Sequence, residues 1–346
     1  MYPRRMTYMR SLMNKFFLSL PIAGALLLAG CGDNNSTNQV ISKRYIHKYG
    51  YAVSKSEWEA NNYPGQLITT LRSGVTITST YENGVLHGPT THTHPHSQTV
   101  QYFYLYDFGD LKKEVIYDAL GMPIREKAQL SPHRYALTMW YGDGTPMSLE
   151  DYADDELIEG KYLSLSNEVE STVERGIGLR TRRDQHGVLL SKDHFDAGYL
   201  VKQETFYPTG ALEEVALYRM NKKHGEREVF AQNGDSVATE EWLDGELHGK
   251  ATYFANGKKQ TEVFFLKGER NGLEIHYVDG ALVEKEILWN GDHRHGPTKF
   301  FVSDGLAKTE WYYNGKLVSK RRYDDLLQME NMVTQASTEF NESSPQ

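Results

Sequence analysis

Between residues 70 and 322 the chain repeats a short pattern of turn residues, aromatic residues and β-branched residues. Its register is set by turn glycines 23 to 25 residues apart, at Gly187, Gly210, Gly234, Gly257, Gly280 and Gly305. Toward the N-terminus the register continues through Gly74, Ser97, Gly121, Gly144 and Asn167, which are 23 or 24 residues apart. The step from Asn167 to Gly187 is shorter, at 20 residues. About eleven units of about 23 residues therefore tile this region. Such a period is typical of repeat arrays.

Each unit also has an inner pattern. An aromatic residue stands three or four places before the register glycine at Tyr141, Tyr207, Phe230, Phe254, Tyr277 and Phe301. A second turn residue stands about eleven places after the register glycine, at Gly198, Asn221, Gly245, Gly268 and Gly291. An aromatic residue precedes this second turn at Tyr106, Phe195, Trp242 and Phe265. The pair His-Gly comes next in several units, at His87-Gly88, His224-Gly225, His248-Gly249 and His295-Gly296.

Two turns flanked by aromatic and β-branched residues predict one β-hairpin in each unit. Dipeptides such as Asn83-Gly84 and Asn256-Gly257 supply the positive φ angles that tight hairpin turns require. Apolar stripes of helical period are absent between residues 70 and 322. We therefore expect an all-β fold, an extended and curved single-layer antiparallel sheet of about eleven stacked hairpins.

The two ends of the array differ from the repeats, as expected of caps. At residues 45–70, the capping-box spacing from Ser54 to Glu57 ahead of Trp58 predicts a short helix over the first edge. Residues 71–322 are assigned to the array. In residues 323–346, apolar residues from Leu326 to Val333 predict a second short helix, followed by a polar, frayed tail from residue 335.

The N-terminus has the composition of an export signal. Residues 1–15 are basic and free of acids, and the apolar run from Phe16 to Ala29 is too short for a permanent membrane span. The run ends in Leu28-Ala29-Gly30-Cys31, and Cys31 is the only cysteine. We assign residues 1–30 to a signal peptide and residues 31–44 to a flexible tether. A plain secretory leader with a free or buried Cys31 is the alternative.

The net negative charge of the chain that follows the predicted leader disfavours nucleic acid as a partner. The leader removes four basic residues and no acid, which leaves 34 Lys and Arg against 46 Asp and Glu. A chain this acidic is a poor candidate for binding nucleic acid through a diffuse positive field. Since the sole cysteine is taken by the leader motif, disulfides and cysteine-based zinc sites are excluded as well.

These motifs resemble two known families. Leu28 to Cys31 resembles the lipobox of bacterial lipoproteins, which implies a lipid on Cys31 and an anchor in the membrane. Gly32 after the cysteine carries no inner-membrane retention signal, so we expect the outer rather than the inner membrane. Tyr81 to Gly88 and Trp242 to Gly249 resemble the bacterial MORN-variant repeat, a family also labelled YwqK-type antitoxin. That resemblance implies stacked hairpins and no catalytic residues. Structural roles in the repeat are assigned to Tyr81, Gly84, Gly88, Tyr207, Gly210, Phe230, Gly234, Trp242, Gly245, Gly249, Phe254, Gly257, Phe265, Gly268, Tyr277, Gly280, Gly296 and Gly305.

One histidine cluster suggests a different chemistry. His92, His94 and His96 alternate along a strand, so three imidazoles could converge on a zinc, copper or nickel ion, with His87 as a fourth ligand. The competing interpretation is a hairpin turn at Pro95 with splayed, solvated histidines. The recurring His-Gly histidines are interpreted as turn or packing elements.

We thus expect a lipid-anchored envelope protein that acts without cofactor or catalysis, holding a protein or other ligand along its array. The aromatic residues could form a binding platform for a peptide or a carbohydrate, or serve as the core of a thin sheet. The alternative function is a metal-binding protein or metal-dependent enzyme centred on His92, His94 and His96. An antitoxin role is suggested only by the family label.

Overall fold

The computed structural model describes residues 38–342 as one antiparallel sheet of 26 strands with two helices. The first elements are β1 (Val40–His47), β2 (Ala52–Val53), α1 (Lys55–Asn61), β3 (Gly65–Leu71), β4 (Thr76–Glu82), β5 (Val85–Thr93), β6 (Val100–Asp107), β7 (Asp110–Tyr117), β8 (Pro123–Ser131) and β9 (Arg134–Trp140). The middle elements are β10 (Pro146–Ala153), β11 (Glu156–Leu163), β12 (Val169–Glu174), β13 (Ile177–Arg183), β14 (Leu189–Asp196), β15 (Tyr199–Phe206), β16 (Leu212–Arg219), β17 (Lys222–Phe230) and β18 (Ser236–Leu243). The last are β19 (Glu246–Ala255), β20 (Lys258–Leu266), β21 (Glu269–Arg270), β22 (Gly272–Val278), β23 (Leu282–Asn290), β24 (His293–Val302), β25 (Gly305–Tyr313), β26 (Lys316–Val318) and α2 (Lys320–Glu342).

The strands follow one another in the sheet in chain order. β1 pairs with both β2 and β3. From β3 onward each strand pairs with the next, with one exception. β21 and β22 do not pair with each other but both pair with β20, and together they act as one strand interrupted at Asn271. The sheet remains open from one end to the other. The predicted all-β array of hairpins is therefore confirmed.

Positive φ angles mark the turns at both long edges of this sheet. The register turns lie along one edge, with Gly144, Gly187 and Gly210 at φ +84 to +86°. The second turns lie along the other edge, with Gly245 and Gly268 at φ +97 and +83°. At the last register turn the prediction was one place off. Ser303 and Asp304 take the positive φ angles there, and Gly305 begins β25, because the loop between Val302 and Gly305 has only two residues.

The repeat weakens between residues 150 and 190, and this segment supplies three of the four residues of the one apolar core cluster found among residues 38–342. Leu157, Tyr162, Val173 and Phe195 are buried together. β12 has only six residues, which accounts for the short register step before Gly187. Gly178 allows β12 and β13 to approach closely, since a Cβ there would lie 2.2 Å from the Thr172 carbonyl oxygen.

The N-terminal helix forms as predicted. The Ser54 hydroxyl accepts a hydrogen bond from the Glu57 amide, and the Glu57 carboxylate accepts one from the Ser54 amide, which completes the capping box. Trp58 is buried against the rings of Tyr45 and Tyr81. Residues 40–44 of the predicted tether belong to β1, which begins at Val40.

The C-terminal helix is longer than the short helix and frayed tail that the sequence predicted. It starts at Lys320 and continues to Glu342, and its buried Tyr323 packs on Trp311 and His295. Its apolar Met329 and Met332 are exposed. In the part of the chain covered by the structure, neither helix is long and apolar enough to cross a membrane.

Candidate functional site

The pairing register divides the side chains between two faces of the sheet. Residues directly opposite each other on neighbouring strands share a face, and side chains alternate along each strand. Arg227 lies opposite Glu240, Glu240 opposite Ala251, and Ala251 opposite Val263. The same succession of pairs places Tyr104, Glu114, Glu150, Asp193, Glu274 and Glu310 on this face, which we call face A. The opposite side is face B.

The middle of face A is buried although the sheet is only one layer thick. Ala251 and Thr298 have no exposed surface, and Ile287 is 2% exposed. These central side chains are small or branched, so larger side chains beside them on the same face can cover them. The aromatic and charged residues of face A therefore supply the packing that a second layer would supply in a sandwich.

Glycines lie opposite the rings of face A. Gly225 faces Trp242, Gly249 faces Phe265, and the further pairs are Gly88 with Tyr106, Gly272 with Trp289 and Gly296 with Tyr312. All five glycines have φ between +92 and +113°. A glycine in such a place adopts this φ without strain and leaves room for the ring across the strand. The glycine of the His-Gly pair is therefore required by the backbone conformation and by the packing of the ring on the neighbouring strand.

Several rings in the C-terminal half of face A, Trp242 among them, belong to a triad, by which we mean a carboxylate, an aromatic ring and one of the chain's own cations. Around Glu240, Arg227 donates a hydrogen bond at 2.7 Å and the Trp242 indole donates one at 3.0 Å. Lys223 lies over the Trp242 ring, 5.2 Å from its centre. Although burial opposes its charge, hydrogen bonds to Glu214 and Glu240 raise the pKa of Arg227.

A second triad lies at the apolar cluster. Asp193 is fully buried and accepts a hydrogen bond from Arg180 at 2.9 Å, and the guanidinium lies 4.8 Å from the centre of the Phe195 ring. Glu150 accepts a hydrogen bond from the Tyr162 hydroxyl and lies 3.8 Å from Arg180. Burial opposes the charge of Arg180, yet the two carboxylates raise its pKa.

Two further triads follow toward the C-terminus. Arg270 lies 3.6 Å from the centre of the Trp289 ring, and Glu274 of the neighbouring strand pairs with His276. Glu310 accepts hydrogen bonds from Lys308 at 2.6 Å and from the Tyr312 hydroxyl at 3.0 Å. Arg294 lies 5.2 Å from the centre of the Tyr312 ring. The rings of these triads are therefore already occupied by the chain's own charges.

The N-terminal half of face A carries a different arrangement, which we call the tyrosine patch: Tyr102, Tyr104, Tyr106, His92 and Glu114. The three tyrosines alternate along β6, with ring centres 6.3 and 6.4 Å apart. His92 of β5 lies with its ring centre 5.5 Å from that of Tyr104. Glu114 of β7 lies directly opposite Tyr104 and is half-buried.

The polar groups of the tyrosine patch have no partners among residues 38–342. The three hydroxyls and the His92 ring make no hydrogen bond, no cation covers the three rings, and Glu114 makes no ion pair within this described range. Burial and the Glu114 charge raise the pKa of Tyr104 to about 12, and burial lowers the pKa of His92. The patch thus holds the Glu114 carboxylate and no cation, since the neighbouring Lys112 contacts Asp110 instead.

The cations that β8 places on face A are turned away from the patch. Lys127 of β8 lies directly opposite Glu114 of β7. Its Nζ, however, lies 3.8 Å from the centre of the ring of Tyr135, which belongs to β9, the strand on the other side of β8. Burial and nearby carboxylates raise the pKa of Tyr135 to about 12. The charge of Arg125, also on β8, lowers the same pKa and so partly offsets them. Both cations of β8 thus act on Tyr135 and leave Glu114 unpaired.

The histidines of the His-Gly pairs connect one second turn to the next. His224 contacts the Asp244 carboxylate at 3.2 Å, and His295 contacts the Asn314 side chain at 2.9 Å. His87 stacks on Phe108 with ring centres 4.1 Å apart. Their contacts are those of turn and packing elements, as the repetition in sequence predicted.

The four histidines proposed as metal ligands do not converge. His94 contacts the Asp118 carbonyl oxygen of the following register turn at 2.9 Å, while His96 packs against Gly74 of the preceding one. His92 lies in the tyrosine patch, and His87 lies at the second-turn edge, at the other end of β5. Within residues 38–342, no three His, Cys, Asp or Glu residues are placed to hold a metal ion.

The tyrosine patch itself was missed in the sequence, although its signal is present there. Tyr102, Phe103, Tyr104, Leu105 and Tyr106 alternate tyrosine with apolar residues, and that period places three tyrosines on one face of a strand. The repeat is defined by residues that recur from unit to unit, and this motif does not recur.

No protein-family model and no curated protein matches this chain. The fold and face A define it as an open array of antiparallel β-hairpins. The resemblance to the MORN-variant repeat stays a prediction. The predicted signal peptide and Cys31 lie outside the described residues.

Proposed function

We propose that this protein is a lipid-anchored scaffold of the cell envelope that holds a partner along face A. The observation that carries the proposal is the contrast within face A. In the C-terminal half, rings such as Trp242 and Trp289 are covered by the chain's own cations, whereas the tyrosine patch presents five unpartnered polar side chains on one continuous surface. Unpartnered, half-buried polar groups are unfavourable unless water or a ligand satisfies them.

Attachment to the membrane is the second part of the proposal. It is supported by the apolar run that ends in Leu28-Ala29-Gly30-Cys31. One acyl chain gives only marginal binding, and two or three chains make attachment effectively stable. Because the residue after Cys31 is Gly32 rather than an acid, we assign the protein to the outer membrane.

Metabolic labelling of cells with a clickable fatty acid tests the anchor. The wild type should carry the label, the Cys31→Ala variant should lose it, and the Ser36→Ala control should keep it. A wild type without label, or a Cys31→Ala variant that is labelled as strongly, would exclude the lipid anchor. Fractionation of the two membranes then tests the assignment to the outer membrane.

Site-specific crosslinking in intact cells tests the scaffold. A photoreactive phenylalanine analogue would replace Tyr104 on face A and, as the matched control, Leu105, its exposed neighbour on face B. We expect a discrete crosslinked product from position 104 and none from position 105. The absence of any product, or the same product from both positions, would contradict a partner on face A.

A further inference from the structure

The triads of face A follow one rule. Wherever a carboxylate lies beside an aromatic ring in the C-terminal half, an Arg or Lys of the same chain completes the group, as Arg180 does for Asp193 and Phe195. Carboxylate and ring both attract a cation, the first by its charge and the second by its quadrupole. A complete triad therefore neutralises its own acid and covers its own ring.

The tyrosine patch has two of these three components. Glu114 supplies the carboxylate, and burial together with this charge raises the pKa of Tyr106 as well as that of Tyr104. Tyr102, Tyr104 and Tyr106 supply the rings. The cation is missing, because Lys127, the residue opposite Glu114, lies over Tyr135.

We infer that the tyrosine patch takes its cation from outside the chain, as the arginine or lysine side chains of an extended basic segment in a partner protein. This inference rests on the proposed function and names the chemistry of its partner. The patch supplies the negative charge, the uncovered rings and the unpaired hydrogen-bonding groups that a guanidinium or ammonium group requires. An anionic ligand would meet Glu114 and no cation of the patch to balance it.

The spacing of the rings fits an extended segment. Alternate residues of an extended chain lie about 6.6 Å apart. The ring centres along β6 are 6.3 and 6.4 Å apart. Basic side chains at alternate positions of a partner strand would therefore fall on successive tyrosines, with Glu114 beside the central ring.

The direct test uses the full chain in detergent micelles and two blocked peptides. The first peptide alternates three arginines with serines, and the second replaces each arginine by citrulline, which has nearly the same shape and no charge. We expect saturable binding of the arginine peptide, weakened at high salt, and affinity for the citrulline peptide lower by about tenfold or more. Equal binding of both peptides, or no binding of either, would overturn the inference.

Variants of the patch locate the binding. Glu114→Gln should weaken binding of the arginine peptide by about tenfold, whereas Glu126→Gln should not change it. Glu126 is the matched control because it lies on the next strand, on face B, and is already paired with Lys113 at 2.8 Å. Tyr104→Phe keeps the ring and should keep the affinity, while Tyr104→Leu should lose about tenfold.

Other outcomes separate this inference from its competitors. If Tyr104→Phe were as damaging as Tyr104→Leu, the hydroxyl would be the binding group, as for a neutral sugar, and the inference would fall. Saturable binding of an uncharged hexasaccharide that competes with the arginine peptide would have the same consequence.

If the arginine peptide does not bind but position 104 still crosslinks in cells, the proposed scaffold function stands and only the inference of a cationic partner is wrong. If both fail, face A is not a binding surface.

Discussion

Gly296 of β24 lies directly opposite Tyr312 of β25 on face A. The glycine has φ +113°, and the Tyr312 hydroxyl donates a hydrogen bond to Glu310 on its own strand. The same pairing of a glycine with a ring recurs at four other places in the array. A residue without a side chain on one strand therefore accompanies a large residue on the next, and the alternation keeps a single-layer sheet packed.

This pairing predicts a cost for adding a single methyl group. Gly296→Ala should lower the free energy of unfolding by about 1–3 kcal/mol, because its backbone lies in a region that L residues rarely adopt. The new Cβ would also come within 2.8 Å of the Leu288 side chain. Thermal and urea unfolding measure the change. Gly305→Ala is the control, since Gly305 does not have a positive φ. Equal destabilisation by both variants would contradict the explanation.

Replacement of Trp242 tests whether the array is quasi-one-dimensional. Trp242→Ala removes a half-buried ring and its hydrogen bond to Glu240, at a cost of about 1.5–3 kcal/mol from burial. Since each strand contacts mainly its neighbours, hydrogen exchange should accelerate from β17 to β19 and stay unchanged around β4. The control is Leu243→Ala, which removes an exposed side chain. Faster exchange spread evenly over the sheet would contradict local unfolding.

The buried ion pair of Asp193 and Arg180 should be sensitive to loss of one partner. Asp193→Ala leaves the half-buried Arg180 guanidinium with Glu150, at 3.8 Å, as its remaining carboxylate and should cost about 3–5 kcal/mol. Glu59→Ala, which breaks the exposed pair with Lys55, should cost about 0.5 kcal/mol or less. Chemical denaturation of the two variants makes the comparison. Similar small losses in both would mean that the buried pair adds little.

Glu262 predicts a dependence of stability on pH. Burial raises the pKa of its carboxyl group, but hydrogen bonds from Lys250 and Tyr277 outweigh burial and lower the pKa to about 2. A pKa depressed in the folded state stabilises the protein above the ordinary pKa of glutamate, and that contribution is lost as the pH falls toward about 2. The stability difference between wild type and Glu262→Gln should therefore shrink between about pH 5 and pH 2.

The control for this titration is Glu246→Gln. Glu246 is exposed at a second turn and has no ion pair anywhere in residues 38–342. As a control for the substitution itself, Glu246→Gln should change the free energy of unfolding at neutral pH by about 0.5 kcal/mol or less. A Glu262→Gln difference that stays constant over the pH range would show that the carboxylate is not stabilised by its neighbours.

Turn chemistry and periodicity could be predicted because they are local. A glycine or asparagine that must adopt positive φ is visible in the sequence, as at Gly210 and Gly245. The helix at Trp58 could be predicted for the same reason, since Ser54 and Glu57 form its cap within one turn. The position of the last register turn was one residue off, because the length of a hairpin loop depends on how its two strands pair.

What the sequence determined by itself is the all-β array, its unit length and the side of each strand on which a residue lies. What only the tertiary structure decided is which side chains meet across strands. His94 and His96 alternate as metal ligands do, yet they contact two different turns. Tyr104 meets Glu114 without a cation because Lys127 lies over Tyr135 instead. A side chain between two neighbouring strands can turn toward either one, and packing and charge in three dimensions make that choice.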